Sequence, residues 1–236
     1  MEALEGLAQE VYRRLVQSYG RPVWRDPLPP LDELISTILS QNTNDTNRDR
    51  AFRSLVDRFP TWTAVRNAAP SDVVEAIRSA GLANQKGPRI QAILREITAE
   101  HGSLDLGFLG SLPPEEARSW LLRFKGVGPK TAAIVLLFSL GMPAFPVDTH
   151  IHRVALRLGL LPQKSTAEAA HKILGQLFPP LNYYDAHLNL IRLGREICHA
   201  RRPDCPRCFL KDVCAFYRTT QREPKDRRAE RKRVSS

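Results

Sequence analysis

The chain has 236 residues. At roughly 150 residues per domain that is one large domain or two small ones, long enough to bury a core without disulfide staples. Lys and Arg number 35 against 25 Asp and Glu, a formal +10 with an isoelectric point near 9.8, so the expected partner is a polyanion, nucleic acid before an anionic membrane surface. A hydrophobic share of 42% with 25% charged residues excludes a wholly disordered chain. No apolar run approaches the roughly 20 residues that cross a bilayer, and the acidic start Met1–Gly6 lacks the form of a secretory signal. The expectation is a reducing, cytoplasmic setting with no membrane partner, where four cysteines are unlike structural disulfides.

Strand signals are nearly absent: there is no convincing alternation and no Asn-Gly or Asp-Gly hairpin. Leu31, Leu34, Ile35, Ile38 and Leu39 instead mark one face of a helix. Ala51, Leu55, Val56 and Phe59 carry the pattern on until Pro60. Ser71 reads as an N-cap before Asp72, with Gly81 placed to end that helix. Ile90, Ile93, Leu94 and Ile97 form a further stripe, and Pro113-Pro114-Glu115-Glu116 opens another helix. Ala132 to Phe138 is seven apolar residues in a row, which predicts a helix buried on all sides at the centre of a globule. The 18 prolines punctuate what reads as an all-α protein of about ten helices.

Just before the apolar helix stands Leu122-Arg123-Phe124-Lys125-Gly126-Val127-Gly128-Pro129-Lys130-Thr131-Ala132. Gly126 and Gly128 are expected to take positive φ and admit close approach of a ligand. The free N–H groups of the following helix suit a phosphate. A helix–hairpin–helix of this kind suits the backbone of duplex DNA. Lys130, in the first helical turn, opposes the helix dipole, a setting that favours the neutral amine. Such an amine can attack a sugar C1′ to form a Schiff base; the simpler reading is that Lys130 only contacts phosphate. Eighteen residues on, Asp148 precedes Thr149-His150-Ile151-His152-Arg153 and reads as an N-cap. An Asp anchored there could hold one oxygen on backbone N–H groups and aim the other at a neighbouring site.

All four cysteines fall within 198–214, as Cys198, Cys205, Cys208 and Cys214 with spacing C-x6-C-x2-C-x5-C. This predicts one metal centre. Zinc sites usually show two close pairs, and only Cys205 and Cys208 are close here. The wide gaps suit a 4Fe-4S cubane, with zinc as the alternative. Arg201, Arg202, Arg207 and Lys211 around these cysteines suit phosphate contacts, or form a solvated rim. The segment 218–236 has eight basic and three acidic residues and reads as a flexible basic tail.

Together the GVGPKTA hairpin, the VDTH segment and the cysteine spacing, spread over roughly residues 30–217, resemble the endonuclease III family of helix–hairpin–helix DNA glycosylases. The resemblance implies base excision repair on duplex DNA carrying damaged bases or abasic sites, by a monomer associated with the nucleoid. It implies that Lys130 is the nucleophile on C1′ of a flipped nucleotide and that Asp148 helps activate it. β-Elimination of the 3′ phosphate would follow, since members with lysine at this position are typically bifunctional. Oxidised or ring-damaged pyrimidines are the implied substrates. The alternatives are a monofunctional or mismatch-type glycosylase and a non-catalytic, cluster-stabilised DNA-binding module.

Gln41 matches the family's gap-filling glutamine and Leu82 its apolar wedge. Lys125, Gly126, Val127, Gly128, Thr131, His150, Arg201 and Arg202 are the further implied DNA contacts. A monovalent cation on the carbonyls of Leu122, Phe124 and Val127 is also implied, as is a 4Fe-4S cluster on the four cysteines. The chain departs from the family at Phe124-Lys125, at Pro129 and at Asn44. The implied architecture is two-lobed with an active-site cleft between the lobes. Residues 29–142 form a six-helix barrel with the hairpin. Residues 143–217 form a cluster lobe joined by the N-terminal helix of 1–28, and 218–236 form the tail.

Overall fold

The computed structural model describes residues 2–220. These residues form helices and short 3-10 turns, with no strand among them. The all-α class read from the sequence is what is found. No described helix is long and apolar enough to cross a membrane.

The chain divides into two compact units. One runs from Arg25 to Pro146 and holds α2 (Pro30–Ser40), α3 (Asp45–Arg58), α4 (Trp62–Asn67), α5 (Pro70–Ala76), α6 (Ala83–His101), α7 (Pro114–Leu122) and α8 (Pro129–Leu140). Helices α2, α5, α7 and α8 each start on a proline, which lacks an N–H that a first turn would leave unpaired and has φ already set for a helix. The seven-residue apolar run of α8 is buried except for a half-buried Ile134. It packs against α2 and α7, as a helix apolar all round must. The stripe Ile90, Ile93, Leu94 and Ile97 of α6 enters the same core.

The other unit joins the residues up to Trp24 with those from Val147 onward. It holds α1 (Glu2–Tyr19), α9 (Thr149–Leu158), α10 (Ala167–Leu177), α11 (Tyr183–Glu196) and the cysteine segment. Helix α11 lies between α9 and α1. Towards α1, the Tyr12 hydroxyl donates to the buried Asp185 carboxylate at 3.0 Å. Towards α9 the helices meet at Gly194, where a Cβ would stand 2.9 Å from Cβ of His150.

Several local expectations are corrected. Helix α5 begins at Pro70 behind an extended Ala69, so Ser71 is inside the helix and caps nothing. Gly81 (φ +65°) ends not α5 but a 3-10 turn, Arg78–Ala80, that follows it. Val56 is exposed, because it lies about 100° round the helix from the buried Leu55. Residues 215–220 are helical. Arg218 donates from Nε and Nη2 to the Asp212 carbonyl, so it belongs to the folded unit and not to a tail. The remainder of the expected tail, from 221, lies outside the described residues.

Candidate active site and metal centre

Helix α7 ends at Leu122, and the chain turns through 123–128 into α8. The Val127 N–H donates to the Phe124 carbonyl at 3.0 Å and closes the turn. Gly126 has φ +90°, as expected. Gly128 does not: it is extended at φ −97°, and the space beside its Cα is open. Its value is therefore clearance, not a left-handed backbone. Phe124 is buried against Trp120, edge to face at 4.8 Å, which accommodates the departure from the family's usual residue here. Lys125 and Gly126 are exposed on the turn, while the Val127 side chain is buried.

No side chain caps α8. Pro129 brings no N–H, so the unpaired donors of the first turn are those of Lys130 and Thr131. Thr131 as a whole residue is buried, at 4% exposure. Lys130 is half-buried at the second helical position.

Gln41 follows α2 and reaches the hairpin directly. Its Nε2 donates to the Gly126 carbonyl at 3.1 Å, and its Oε1 accepts from Arg89 Nη1 at 3.1 Å. Leu82 is 49% exposed and holds φ +50°. An exposed, left-handed leucine is uncommon and is held only where the surroundings over-determine it. Asn42 beside Gln41 is also left-handed at φ +53°. Asn44, another departure from the family, caps α3 by accepting from the Asn47 N–H at 2.9 Å.

Asp148 lies in the other unit. It caps α9, its Oδ1 accepting from the Ile151 N–H at 2.7 Å. His150, half-buried at the second position of α9, accepts at Nδ1 from Arg153 at 3.1 Å. Arg153 donates as well to the carbonyls of Gly194 and Cys198, at 2.9 and 3.0 Å. Arg157, one turn further, donates to the carbonyls of His199 and Ala200 at 2.6 and 3.0 Å and approaches Cys198 Sγ at 3.3 Å. The helix that begins at Asp148 thus holds the start of the cysteine segment. Arg201 and Arg202 are exposed in that segment, Arg202 at φ +51°.

Cys198, Cys205, Cys208 and Cys214 line one pocket with Leu193 and Phe216. Among the described residues no three or more Cys, His, Asp or Glu side chains stand in metal-binding geometry, and none of these cysteines is in a disulfide. Burial pushes the Cys208 thiol up to about 11, with the neighbouring cysteines adding to it. Burial likewise raises Cys205 and Cys214. Four thiolates in this pocket would repel one another unless a strongly cationic centre lay between them, which is how a metal site lowers its ligands' pKa. The donor set therefore fits an iron–sulfur or zinc centre. From outside, Arg14 of α1 braces the segment through a bidentate pair with Asp212, at 2.6 and 2.9 Å, and a bond to the Phe209 carbonyl at 3.1 Å.

Four residues at these sites escape a reading of motifs: Lys86, Arg89, Arg153 and Arg157. Lys86 left a signal, standing four residues before Ile90 on the apolar stripe of α6. It is 2% exposed. Its Nζ donates to the Leu39 carbonyl, the Thr43 hydroxyl and the Ala80 carbonyl at 2.7, 2.8 and 2.9 Å. Burial, and secondarily Arg89, hold it below the usual lysine range, at about 8.

The model of the HhH-GPD superfamily of base excision DNA repair proteins matches residues 35–180. An endonuclease III of Thermotoga maritima is 35% identical over 219 residues, 91% of this chain and 93% of the relative. Among solved structures, a non-covalent endonuclease III–DNA complex aligns at TM-score 0.78 with 25% identity, over 92% of this chain and 98% of that one. A trapped endonuclease III–DNA covalent intermediate aligns at TM-score 0.76 with 25% identity, over 91% and 98%. The chain belongs to the HhH-GPD superfamily of base excision DNA repair proteins and, within it, to the endonuclease III family.

Proposed function

We propose that this base excision repair DNA glycosylase and AP lyase removes oxidised or ring-damaged pyrimidines from duplex DNA and works through Lys130. The observation that carries this reading is the place of Lys130: second residue of an uncapped helix, directly behind a turn that is open at Gly128. The hairpin offers a phosphate the N–H groups of Lys130 and Thr131 and the charge of Lys125. The exposed Leu82 enters the stack as a wedge and Gln41 fills the space of the extruded nucleotide, which offsets part of the few kcal/mol that flipping costs.

Nζ of Lys130 then forms a bond to C1′ while the glycosidic C1′–N bond breaks and the base leaves with the electron pair. Asp148 accepts the proton that the amine sheds and stabilises positive charge on the sugar. The C1′–O4′ bond then opens, O4′ taking a proton to become a hydroxyl while the nitrogen lone pair forms the protonated imine; loss of a C2′ proton from that imine expels the 3′ phosphate with the C3′–O bonding pair and nicks the strand. His150, Arg201 and Arg202 serve DNA from the other unit; His150 is already turned toward Arg153, so it acts through a held orientation.

Cys198, Cys205, Cys208 and Cys214 would hold a 4Fe-4S cluster, which when bound cross-links the segment that carries Arg201 and Arg202. The carbonyls of Leu122, Phe124 and Val127 are candidate ligands of a monovalent cation. The division into a barrel lobe of 29–142 and a cluster lobe of 143–217 with 1–28 belongs to the same proposal.

The test is a panel of duplexes, each with one oxidised pyrimidine, assayed for base release and strand nicking with wild type and Lys130→Gln. Both products from wild type and neither from the variant support the lyase. Base release that persists in the variant points to a monofunctional glycosylase, and binding without either product to a non-catalytic module.

A further inference from the structure

Gln41 and Leu82 sit on two loops far apart in sequence, yet a lesion reader needs them at fixed positions relative to the hairpin. One stretch of α6 reaches all three. The backbone N–H of Lys86 donates to the Leu82 carbonyl at 3.0 Å. Its buried Nζ, with three donors on three oxygens, ties residues on both sides of Gln41 to one just before Leu82. Leu39 is two before Gln41, Thr43 two after it, and Ala80 two before Leu82. The Thr43 hydroxyl donates in turn to the Ala80 carbonyl, which closes the two loops on each other. One turn along, Arg89 holds the Gln41 Oε1, and the Gln41 Nε2 is thereby presented to the Gly126 carbonyl. The side chain of Arg89 also runs so close to Gly126 that a Cβ there would stand 2.5 Å from Arg89 Cδ.

A lysine amine buried to this extent without a carboxylate partner is an expensive feature of a core. Its three acceptors are all on the segments that carry the probes. A glutamine left to swing freely would have to be ordered each time DNA is engaged; one held at both ends of its amide is ordered beforehand.

We propose that Lys86 and Arg89 are positioning residues that lock Gln41, Leu82 and the hairpin turn into one preformed frame for entering the duplex. This rests on the reading of Gln41 as the residue that fills the vacated stack. Neither cation touches the reacting atoms: Lys86 acts on backbone, and Arg89 acts through Gln41.

The test is a double-mutant cycle on the intact protein with a duplex that carries an uncleavable tetrahydrofuran abasic analogue opposite 2-aminopurine. Fluorescence of 2-aminopurine on rapid mixing reports unstacking. Arg89→Met and Gln41→Ala should each slow the signal about tenfold, and the double variant should be no slower than Gln41→Ala within about twofold. The salt dependence of binding should not change with Arg89→Met. If the two losses multiply to about a hundredfold, or if Arg89→Met makes the salt slope shallower by about one unit, Arg89 is an independent phosphate contact. The frame is then overturned while the role of Gln41 stands. A Gln41→Ala variant that unstacks DNA as wild type does overturns both.

Lys86→Met with native far-ultraviolet circular dichroism should slow the signal at least as much as Arg89→Met. Wild-type kinetics in that folded variant exclude Lys86 from the frame. If it does not fold, the Arg89 cycle decides.

Discussion

The cap that Asp148 makes and the catalytic role proposed for it can be separated by substitution. Its Oδ1 is spent on the Ile151 N–H, which leaves Oδ2 for chemistry. Asparagine caps a helix as well as aspartate does. Asp148→Asn should therefore melt within about 0.5 kcal/mol of wild type while single-turnover base release falls by about a hundredfold or more. Asp148→Ala should lose about 1 kcal/mol besides. Equal activity of the asparagine variant and wild type would reduce Asp148 to a cap.

Gly126 combines a left-handed backbone with a crowded flank. Gly126→Ala should cost about 1–3 kcal/mol in thermal or urea unfolding. Arg89→Ala in the same chain should recover only the collision and not the backbone strain. Lys86 has a pH signature. Its folded value of about 8 lies below the 10.5 of an ordinary lysine, so between those values the unfolded chain binds more protons. The free energy of unfolding gains a contribution from Lys86 as pH rises through that window. Urea midpoints measured from pH 7.5 to 10 should rise less steeply in Lys86→Met; an unchanged slope would contradict the shift.

At the scale of elements, α9 is both a site helix and a brace. Arg153 and Arg157 bind carbonyls of 194–200 that have no partner in a helix. Arg157→Ala should leave α9 folded, loosen the loop between Cys198 and Cys205 and, on the proposal that the cysteines hold an iron–sulfur cluster, lower the iron bound per chain. Limited trypsin digestion at Arg201 and Arg202, followed by mass spectrometry, should be faster; unchanged cleavage and iron content would show that the loop is held without Arg157.

These arginines were illegible in sequence because an arginine on an amphipathic helix reads as solvent face whether it meets water or backbone. What was legible rests on repetition. The apolar stripes of α2 and α6, the seven-residue run of α8 and the prolines at helix starts each state a local preference several times over, and tertiary packing agrees with it. The failures come from single residues. A glycine permits positive φ without requiring it, so Gly126 uses the freedom and Gly128 does not. Leu82 and Asn42 take that conformation with no glycine to announce it. Ser71 is a good cap residue displaced by a better helix start one position earlier. Of the candidate site, the hairpin, Asp148 and the cysteines were visible as motifs. The bonds from α6 to the Gln41 loop span 43 and 47 residues, which no local pattern encodes.

For the whole molecule, the excess of ten positive charges sets how it meets DNA. Affinity should fall linearly in log–log form as salt rises. The segment after residue 220 holds seven basic and three acidic residues. Its removal should make that slope shallower by a few units and leave base release from bound duplex unchanged; an identical slope would mean the segment neutralises no phosphate.

The mechanism proposed above turns on one amine, that of Lys130 at the head of the buried helix, forming an imine with deoxyribose. Reaction of the protein with a lesion-containing duplex under borohydride, then proteolysis and mass spectrometry of the cross-linked peptide, tests this most directly. The expected result is a reduced sugar adduct on Lys130 that disappears in Lys130→Gln. A stable adduct on any other residue, or undiminished cross-linking in the variant, would contradict it.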